Sequence, residues 1–423
     1  MMKRILNYIL LLPALLIVSC GEEEFVGQPG TDGVAPGVVS NVSVENINGG
    51  AILQYTLPSD KDIMYVEATY AVNSGLTRIA KSSKFIQNLL VDGFADVTEA
   101  NVELRAVDYS GNKSEPINVT INPLTPPYKL VRESLEVTSD FSGVLLEWVN
   151  EYAAKIGITV LTENALGEFV PFKTVYEDFS DYKENVRGMD TITQTLGFFV
   201  KDNYGNISDT LYGDYKPLYE IELDKSLWTA LRLDTDIPQF ANARRVEKGW
   251  DGNTDQNWSS AYVSTFNSGS KEYLPHHQTI DFGVNSRVSR FIMHGVKNWG
   301  YERTGIKTFE IYGTNNETLI QRESNGAYVW PDGDDPNVTD NWREEGLDGW
   351  DLISEFEIIK PSGLPGTDIA DGDNDYTNAG VEYNFPPGTD SYRYYRIRTT
   401  EVWDSSSKHS GWAELTFFGD PED

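Results

Sequence analysis

Val102-Glu103-Leu104-Arg105-Ala106-Val107 runs straight into Asp108-Tyr109-Ser110-Gly111-Asn112-Lys113-Ser114-Glu115, and a second copy of this ending stands at Phe198-Phe199-Val200-Lys201-Asp202-Asn203-Tyr204-Gly205-Asn206-Ile207-Ser208-Asp209. The first six residues alternate apolar and polar, the period-two mark of a half-buried strand. Asp108 aligns with Asp202, Gly111 with Gly205, Asn112 with Asn206 and Ser114 with Ser208, without a gap; from Gly111 to Gly205 is 94 residues. Gly and Asn tolerate positive φ, so each copy reads as the turn joining the last two strands of a domain. A repeat of that length is one small β-sandwich, so two stand in tandem.

Working outward, short alternating runs (Val42, Val44, Ile52, Tyr55) are separated by turn signals at Asn48-Gly49-Gly50, Pro58-Ser59-Asp60 and Asp92-Gly93, and no helix of convincing length interrupts them. Pro123-Leu124-Thr125-Pro126-Pro127 parts the two modules and Pro217 follows the second. The first sandwich is placed at residues 38–124 and the second at 125–220. A region of different texture, rich in Trp, Gly, Asp and Asn, occupies 221–423.

The chain has 423 residues, a formal charge of −31 and 12% aromatic residues. Such a surface repels phosphate backbones, which argues against nucleic acid as a partner. It does not repel a neutral sugar polymer, and acidic loops attract calcium. The lone cysteine, Cys20, rules out an intramolecular disulfide and a thiolate zinc site.

Residues 1–19 read as a signal peptide: Lys3 and Arg4 precede a short apolar stretch ending Leu16-Ile17-Val18-Ser19-Cys20. This end resembles a bacterial lipobox, which implies cleavage before Cys20, its lipidation and a firm membrane anchor. Gly21-Glu22-Glu23-Glu24 resembles the export signal of Bacteroidota lipoproteins and implies an outer-membrane position facing the exterior. Residues 20–37 form an acidic, Gly/Pro-rich linker.

The repeated turn phrase resembles that of fibronectin type III domains. Residues 35–220 resemble the paired domains of unknown function at the front of Bacteroidota polysaccharide-utilisation lipoproteins, which implies spacers. In the C-terminal region, Trp250-Asp251-Gly252-Asn253-Thr254-Asp255-Gln256-Asn257-Trp258 is followed by Ile280-Asp281-Phe282-Gly283, Phe309-Glu310-Ile311-Tyr312-Gly313, Tyr395-Arg396-Ile397-Arg398 and Glu414-Leu415-Thr416-Phe417-Phe418-Gly419. This order resembles the discoidin (coagulation-factor type C) family and implies a galactose-binding-like jelly roll. Trp342 to Gly363 resembles the C-terminal domain of the same lipoprotein class. The fold expected is therefore all-β: two Ig/fibronectin III-like sandwiches, then a jelly-roll sandwich.

Pyranose faces pack on exposed aromatic rings while hydroxyls bond to polar side chains. Trp299 and Tyr301, with Arg303 as hydroxyl partner, are the favoured carbohydrate-binding residues, joined by Trp330, Trp342 and Trp403; for each Trp the alternative is a place in the core. Trp258 and Trp412 are assigned to the core, because they sit inside fold-defining motifs. Asp251, Asn253 and Asp255 alternate through a turn, and the resemblance implies a structural calcium ion there with Glu414 closing the cage. The run reads as well as a hydrogen-bonded Asx turn. Asp371-Gly372-Asp373-Asn374-Asp375 is read first as a solvated loop, as is Asp332-Gly333-Asp334-Asp335. His276-His277 is read as part of a binding loop or turn, His294 as a strand residue and His409 as a loop residue near the ligand end.

No hydrolase, zinc-protease or nucleotide-binding motif occurs, so no enzyme is expected. Asp281-Phe282-Gly283 spells the kinase magnesium tripeptide but none of that family's other motifs accompanies it. The reading is a cell-surface lipoprotein that binds polysaccharide or oligosaccharide for a neighbouring outer-membrane importer. A protein-interaction or adhesin subunit of the same system is the alternative, and a glycan-active enzyme comes last.

Overall fold

A computed structural model of the chain describes residues 32–422, apart from 74–75, 178–180, 234, 238–241, 265–273, 321–345 and 407–408. Cys20, Trp330, Trp342 and the Asp332–Asp335 loop lie outside the described residues.

The first module comprises β1 (Ser40–Ile47), β2 (Gly50–Thr56), β3 (Ile63–Asn73), β4 (Leu76–Ser83), β5 (Asn88–Asp92), β6 (Ala100–Asp108) and β7 (Ile117–Ile121). Two antiparallel sheets, β1-β2-β5 and β4-β3-β6-β7, face each other. On β6 the alternation does what the sequence requires: Val102, Leu104 and Ala106 are buried while Glu103 is exposed.

The second module repeats this plan with β8 (Glu136–Asp140), β9 (Gly143–Val149), β10 (Ile156–Glu163), β11 (Phe169–Glu177), β12 (Asp181–Arg187), β13 (Gln194–Asp202) and β14 (Leu211–Tyr215), in sheets β12-β9-β8 and β11-β10-β13-β14. One short helix, α1 (Pro127–Ser134), begins it. Pro127 occupies the first helical turn, where its missing N–H costs nothing, and buried Tyr128 and Val131 close the end of the core.

The repeated phrase is a hydrogen-bonded turn built the same way twice. Asp108 Oδ1 accepts from the Asn112 N–H (2.8 Å) and its Oδ2 from Asn112 Nδ2 (2.9 Å). Asp202 makes the same pair with Asn206, at 2.8 and 2.8 Å. Gly111 (φ +82°) and Gly205 (φ +88°) hold the left-handed position. Ser114 Oγ accepts from Ala106 N and Ser208 Oγ from Val200 N, which ties the turn back to its strand.

The third domain contains β15 (Ile221–Glu222), β16 (Thr229–Ala230), β17 (Tyr262–Val263), β18 (His276–His294), β19 (Ile306–Thr314), β20 (Asp351–Glu357), α2 (Asp373–Asn378), β21 (Val381–Asn384), β22 (Tyr392–Val402), β23 (Gly411–Trp412) and β24 (Glu414–Pro421). Strand β18 serves both layers: its first part pairs with β16 and β22, its second with β24 and β21. The switch falls at Gly283 (φ +80°), where an added Cβ would stand 2.9 Å from Leu227. Asp281-Phe282-Gly283 is thus structural. Asp281 takes a two-pronged bond from Arg393 (2.8 and 2.9 Å), and Phe282 stacks on Trp228 (4.6 Å) and Tyr395 (4.4 Å) in the core.

Both junctions are bonded. Between the modules, Tyr204 Oη donates to Asp92 Oδ2 (2.7 Å), Asn206 Nδ2 to Gly93 O (3.2 Å) and Tyr128 Oη to Ala95 O (2.8 Å). At the second junction Arg187 reaches Glu382 (3.2 Å) and Asn384 (2.9 Å), while Arg290 meets Glu220 (3.2 Å) and Glu382 (2.9 Å).

Candidate functional site

Three loops meet at one end of the third domain. The first follows a 3₁₀ turn, Val246–Trp250, which is pressed so close to the core that a Cβ on Gly249 would meet Trp412 Nε1. Arg244 stands just before this turn, in a 3₁₀ turn of its own (Asn242–Arg244), and Trp258 lies in the loop after it. The second joins β18 to β19; Asn298 (φ +64°) and Arg303 (φ +46°) adopt left-handed backbone there, and the loop carries Trp299. The third precedes β23 and carries His409.

Their side chains converge. The Trp258 and Trp299 rings lie 4.9 Å apart, inclined by 38°. The Arg244 guanidinium sits 4.0 Å from the Trp258 ring and that of Arg303 4.7 Å from Trp299. The His409 ring meets the edge of Trp258 at 5.8 Å, and its Nδ1 lies 2.9 Å from Ser264 O. Burial pulls both His409 and Arg244 below their ordinary pKa values, which favours a neutral imidazole. Both indoles are half-buried and Arg303 is exposed. Indole surface beside guanidinium donors suits a ligand with an apolar face and hydroxyl edges.

The structure brings together two of the expected residues, Trp299 and Arg303, and adds three. Trp258, expected in the core, belongs to this cluster. Its polar surroundings, Asn257 and Ser259-Ser260, lack the alternation of a core strand and are the signal that could have placed it. Arg244 has no comparable signal, and His409 is placed here as a loop residue.

Two of the expected carbohydrate-binding residues do not join this cluster. Tyr301 is fully buried and its hydroxyl donates to Ile359 O (2.9 Å), so it offers no ring face. Loop 300–305 is folded onto α2: a Cβ on Gly300 would stand 2.1 Å from Thr377 Oγ1, and this close approach turns Tyr301 inward. Trp403 packs against the core beside Tyr301 (5.4 Å), with the Lys360 ammonium 4.3 Å from its ring.

The cation residues are occupied by protein groups. Asp251 Oδ2 pairs with Lys248 (2.8 Å), Asp255 with Lys297 (2.5 Å) and Glu414 Oε1 with Lys225 (2.5 Å); Asn253 Oδ1 accepts from Asp255 N (3.1 Å). The oxygens Lys248 O, Asp251 Oδ1 and Ala413 O converge on Gln256 Nε2 at 2.6, 3.0 and 2.9 Å. A hard divalent ion asks for six to eight oxygens; here the place they surround is filled by a donor.

Asp373, expected in a solvated loop, is buried and accepts from Ser362 N (2.9 Å), Ser362 Oγ (2.7 Å) and Ala370 N (2.8 Å). His276 and His277 are buried within β18 rather than in a loop; His276 Nε2 lies 2.6 Å from Ser410 Oγ. Among the described residues no helix is long and apolar enough to cross a membrane.

The strands define an all-β chain of two seven-stranded, two-sheet sandwiches followed by a larger β domain that carries the loop cluster. Three family models match consecutive stretches, each described as a domain of unknown function: DUF4959 over residues 36–123, DUF5126 over 124–226 and DUF5000 over 250–419. No curated protein matches the chain. Among solved structures it is similar to a SusE-like protein, BT2857, at 23% identity and a TM-score of 0.42, over 70% of this chain and 100% of that one. It is also similar to the C-terminal domain of a chitobiase from Bacteroides fragilis (13% identity, TM-score 0.31, 48% of this chain and 100% of that one). A third is the family 32 CBM from C. perfringens NanJ in complex with galactose (14% identity, TM-score 0.29, 47% of this chain and 98% of that one).

Proposed function

We propose that this chain is a non-catalytic glycan-binding lipoprotein of the outer cell surface, anchored through Cys20, which captures polysaccharide and hands it to a neighbouring outer-membrane importer. The observation that carries the reading is the Trp258–Trp299 pair with Arg244, Arg303 and His409 around it. Rings supply the apolar contact for a pyranose face, and the guanidinium groups supply donors for its hydroxyls. Two bonded spacer modules separate this end from the anchor.

The test is retention on a broad panel of immobilised glycans, using the chain from residue 21 onward and its Trp258→Ala and Trp299→Ala variants. The wild-type chain is retarded by at least one glycan, and each variant loses affinity by about tenfold to a hundredfold, or about 1.4–2.8 kcal/mol. Absence of retention across the panel, together with capture of an importer subunit, would shift the reading to a protein-interaction role.

A further inference from the structure

We infer that lysine ammonium groups and a glutamine amide take the part of a structural cation in the C-terminal domain, so that this domain holds its loops without divalent metal. The first place is the Asp251–Glu414 pocket. Glu414 is buried at 1% exposure, and such a carboxylate needs a positive partner to remain charged. Lys225 is that partner: its Nζ donates to Glu414 Oε1 (2.5 Å) and to Thr416 Oγ1 (2.7 Å). The other carboxylate oxygen accepts from Gly252 N (3.1 Å), so both oxygens of Glu414 are engaged by protein donors.

Gln256 fills the remaining space. Its side chain is also 1% exposed, and the three groups facing its Nε2 are all oxygen acceptors. Only the amide nitrogen can face them without repulsion. The cost is an Oε1 buried without a partner. That cost is consistent with the amide being held by what its nitrogen does. Charge balances too, since Asp251 and Glu414 are met by Lys248 and Lys225.

The second place repeats the device. Lys360, 3% exposed, donates from Nζ to Leu364 O (3.1 Å), Gly366 O (2.6 Å) and Asp368 O (2.8 Å). An ammonium has three donors, and here three carbonyls of one irregular loop take all of them. Converging carbonyls around a point charge are what a bound ion gathers elsewhere. Lys225, moreover, stands five residues beyond Glu220 of the second junction, so its bond to β24 fixes the chain where it enters the third domain.

The test uses the chain from residue 21 onward, dialysed against EDTA and then supplied with calcium, with unfolding followed by tryptophan fluorescence. Wild-type midpoints in EDTA and in calcium agree within about 1 °C. Lys225→Met lowers the midpoint by about 4–8 °C in EDTA, and calcium restores part of the loss, because the buried Glu414 carboxylate then lacks its cation. Lys225→Arg, which keeps the charge, stays insensitive to calcium. Lys360→Met lowers the midpoint with EDTA or calcium alike. A wild-type midpoint that falls by several degrees in EDTA, or calcium retained stoichiometrically through dialysis, overturns the inference. So does a Lys225→Met variant that calcium does not rescue.

Discussion

The two copies of the Asp-x-x-Gly-Asn-x-Ser turn are the same object internally and different objects externally. In the first module Asn112 Nδ2 also reaches Asp32 O (3.2 Å) and Val34 O (3.3 Å), so the turn pins the segment that leads into β1. In the second, Asn206 Nδ2 reaches Gly93 O (3.2 Å), and Tyr204 at the turn's tip bonds to Asp92. Each copy therefore grips whatever precedes it in the chain. In the third domain the loops around Trp258 and Trp299 do something else: they gather half-buried indoles and guanidinium groups. Turns that close a sandwich can be spent on what precedes them, whereas loops can gather aromatic and cationic side chains, and this molecule does the first in its two sandwich modules and the second in its third domain.

Breaking the second turn gives the largest stability effect. Asp202→Ala removes the acceptor of three bonds, from Tyr204 N, Asn206 N and Asn206 Nδ2, and leaves a buried Asn206 without its main partner. The cost is about 2–3 kcal/mol to the second module, read by denaturant unfolding. The first junction should loosen with it, seen as a larger radius of gyration in solution scattering. Asp108→Ala should destabilise the first module and leave that junction unchanged, which separates the two copies.

Tyr204→Phe is the milder cut. It keeps the turn and deletes only the 2.7 Å bond to Asp92, beneath the Arg78 guanidinium at 4.6 Å. Burial and Asp92 together push the phenol pKa well up, so the bond persists at any physiological pH. The loss is about 1 kcal/mol, confined to the junction. Hydrogen exchange should rise at Asp92 and Gly93 and stay constant in β18. A variant that unfolds the second module outright would show that the contact belongs to the module's core rather than to docking.

What could be read from the sequence was what is local. The turn phrase keeps the bonds that shape it within nine residues, and β6 announces its faces by alternation, so both sandwiches were legible. The grip of Tyr204 on Asp92 was not, since it joins residues 112 positions apart. Neither was Lys225 opposite Glu414, 189 positions away. Trp299 and Tyr301 show the limit most sharply. They stand two residues apart in one loop, yet one is half-buried beside Trp258 and the other is fully buried where Gly300 approaches Thr377. Such side-chain fates are set by packing against distant elements, which periodicity does not report.

The smallest effect separates spacers from tip by pH. All four histidines lie in the third domain, as do nine of the ten tryptophans, so tryptophan fluorescence follows the part that titrates. Burial pulls His277, His294 and His409 below the ordinary histidine pKa of 6.5, His277 the furthest. A depressed histidine is neutral in the folded state and takes up protons more readily when unfolded. Stability from these residues is thus complete above about pH 6.5 and is lost as pH falls from there towards the depressed folded values. Glu414, raised by burial, acts in the opposite sense, but only in the window that opens upward from its ordinary carboxylate value. Urea unfolding at about pH 7.5 and about pH 5.5 should therefore show a lower fluorescence midpoint in acid, while a probe confined to the histidine-free spacers moves less. Equal shifts in both regions would place the acid sensitivity in the carboxylate networks at the junctions instead of in the buried imidazoles.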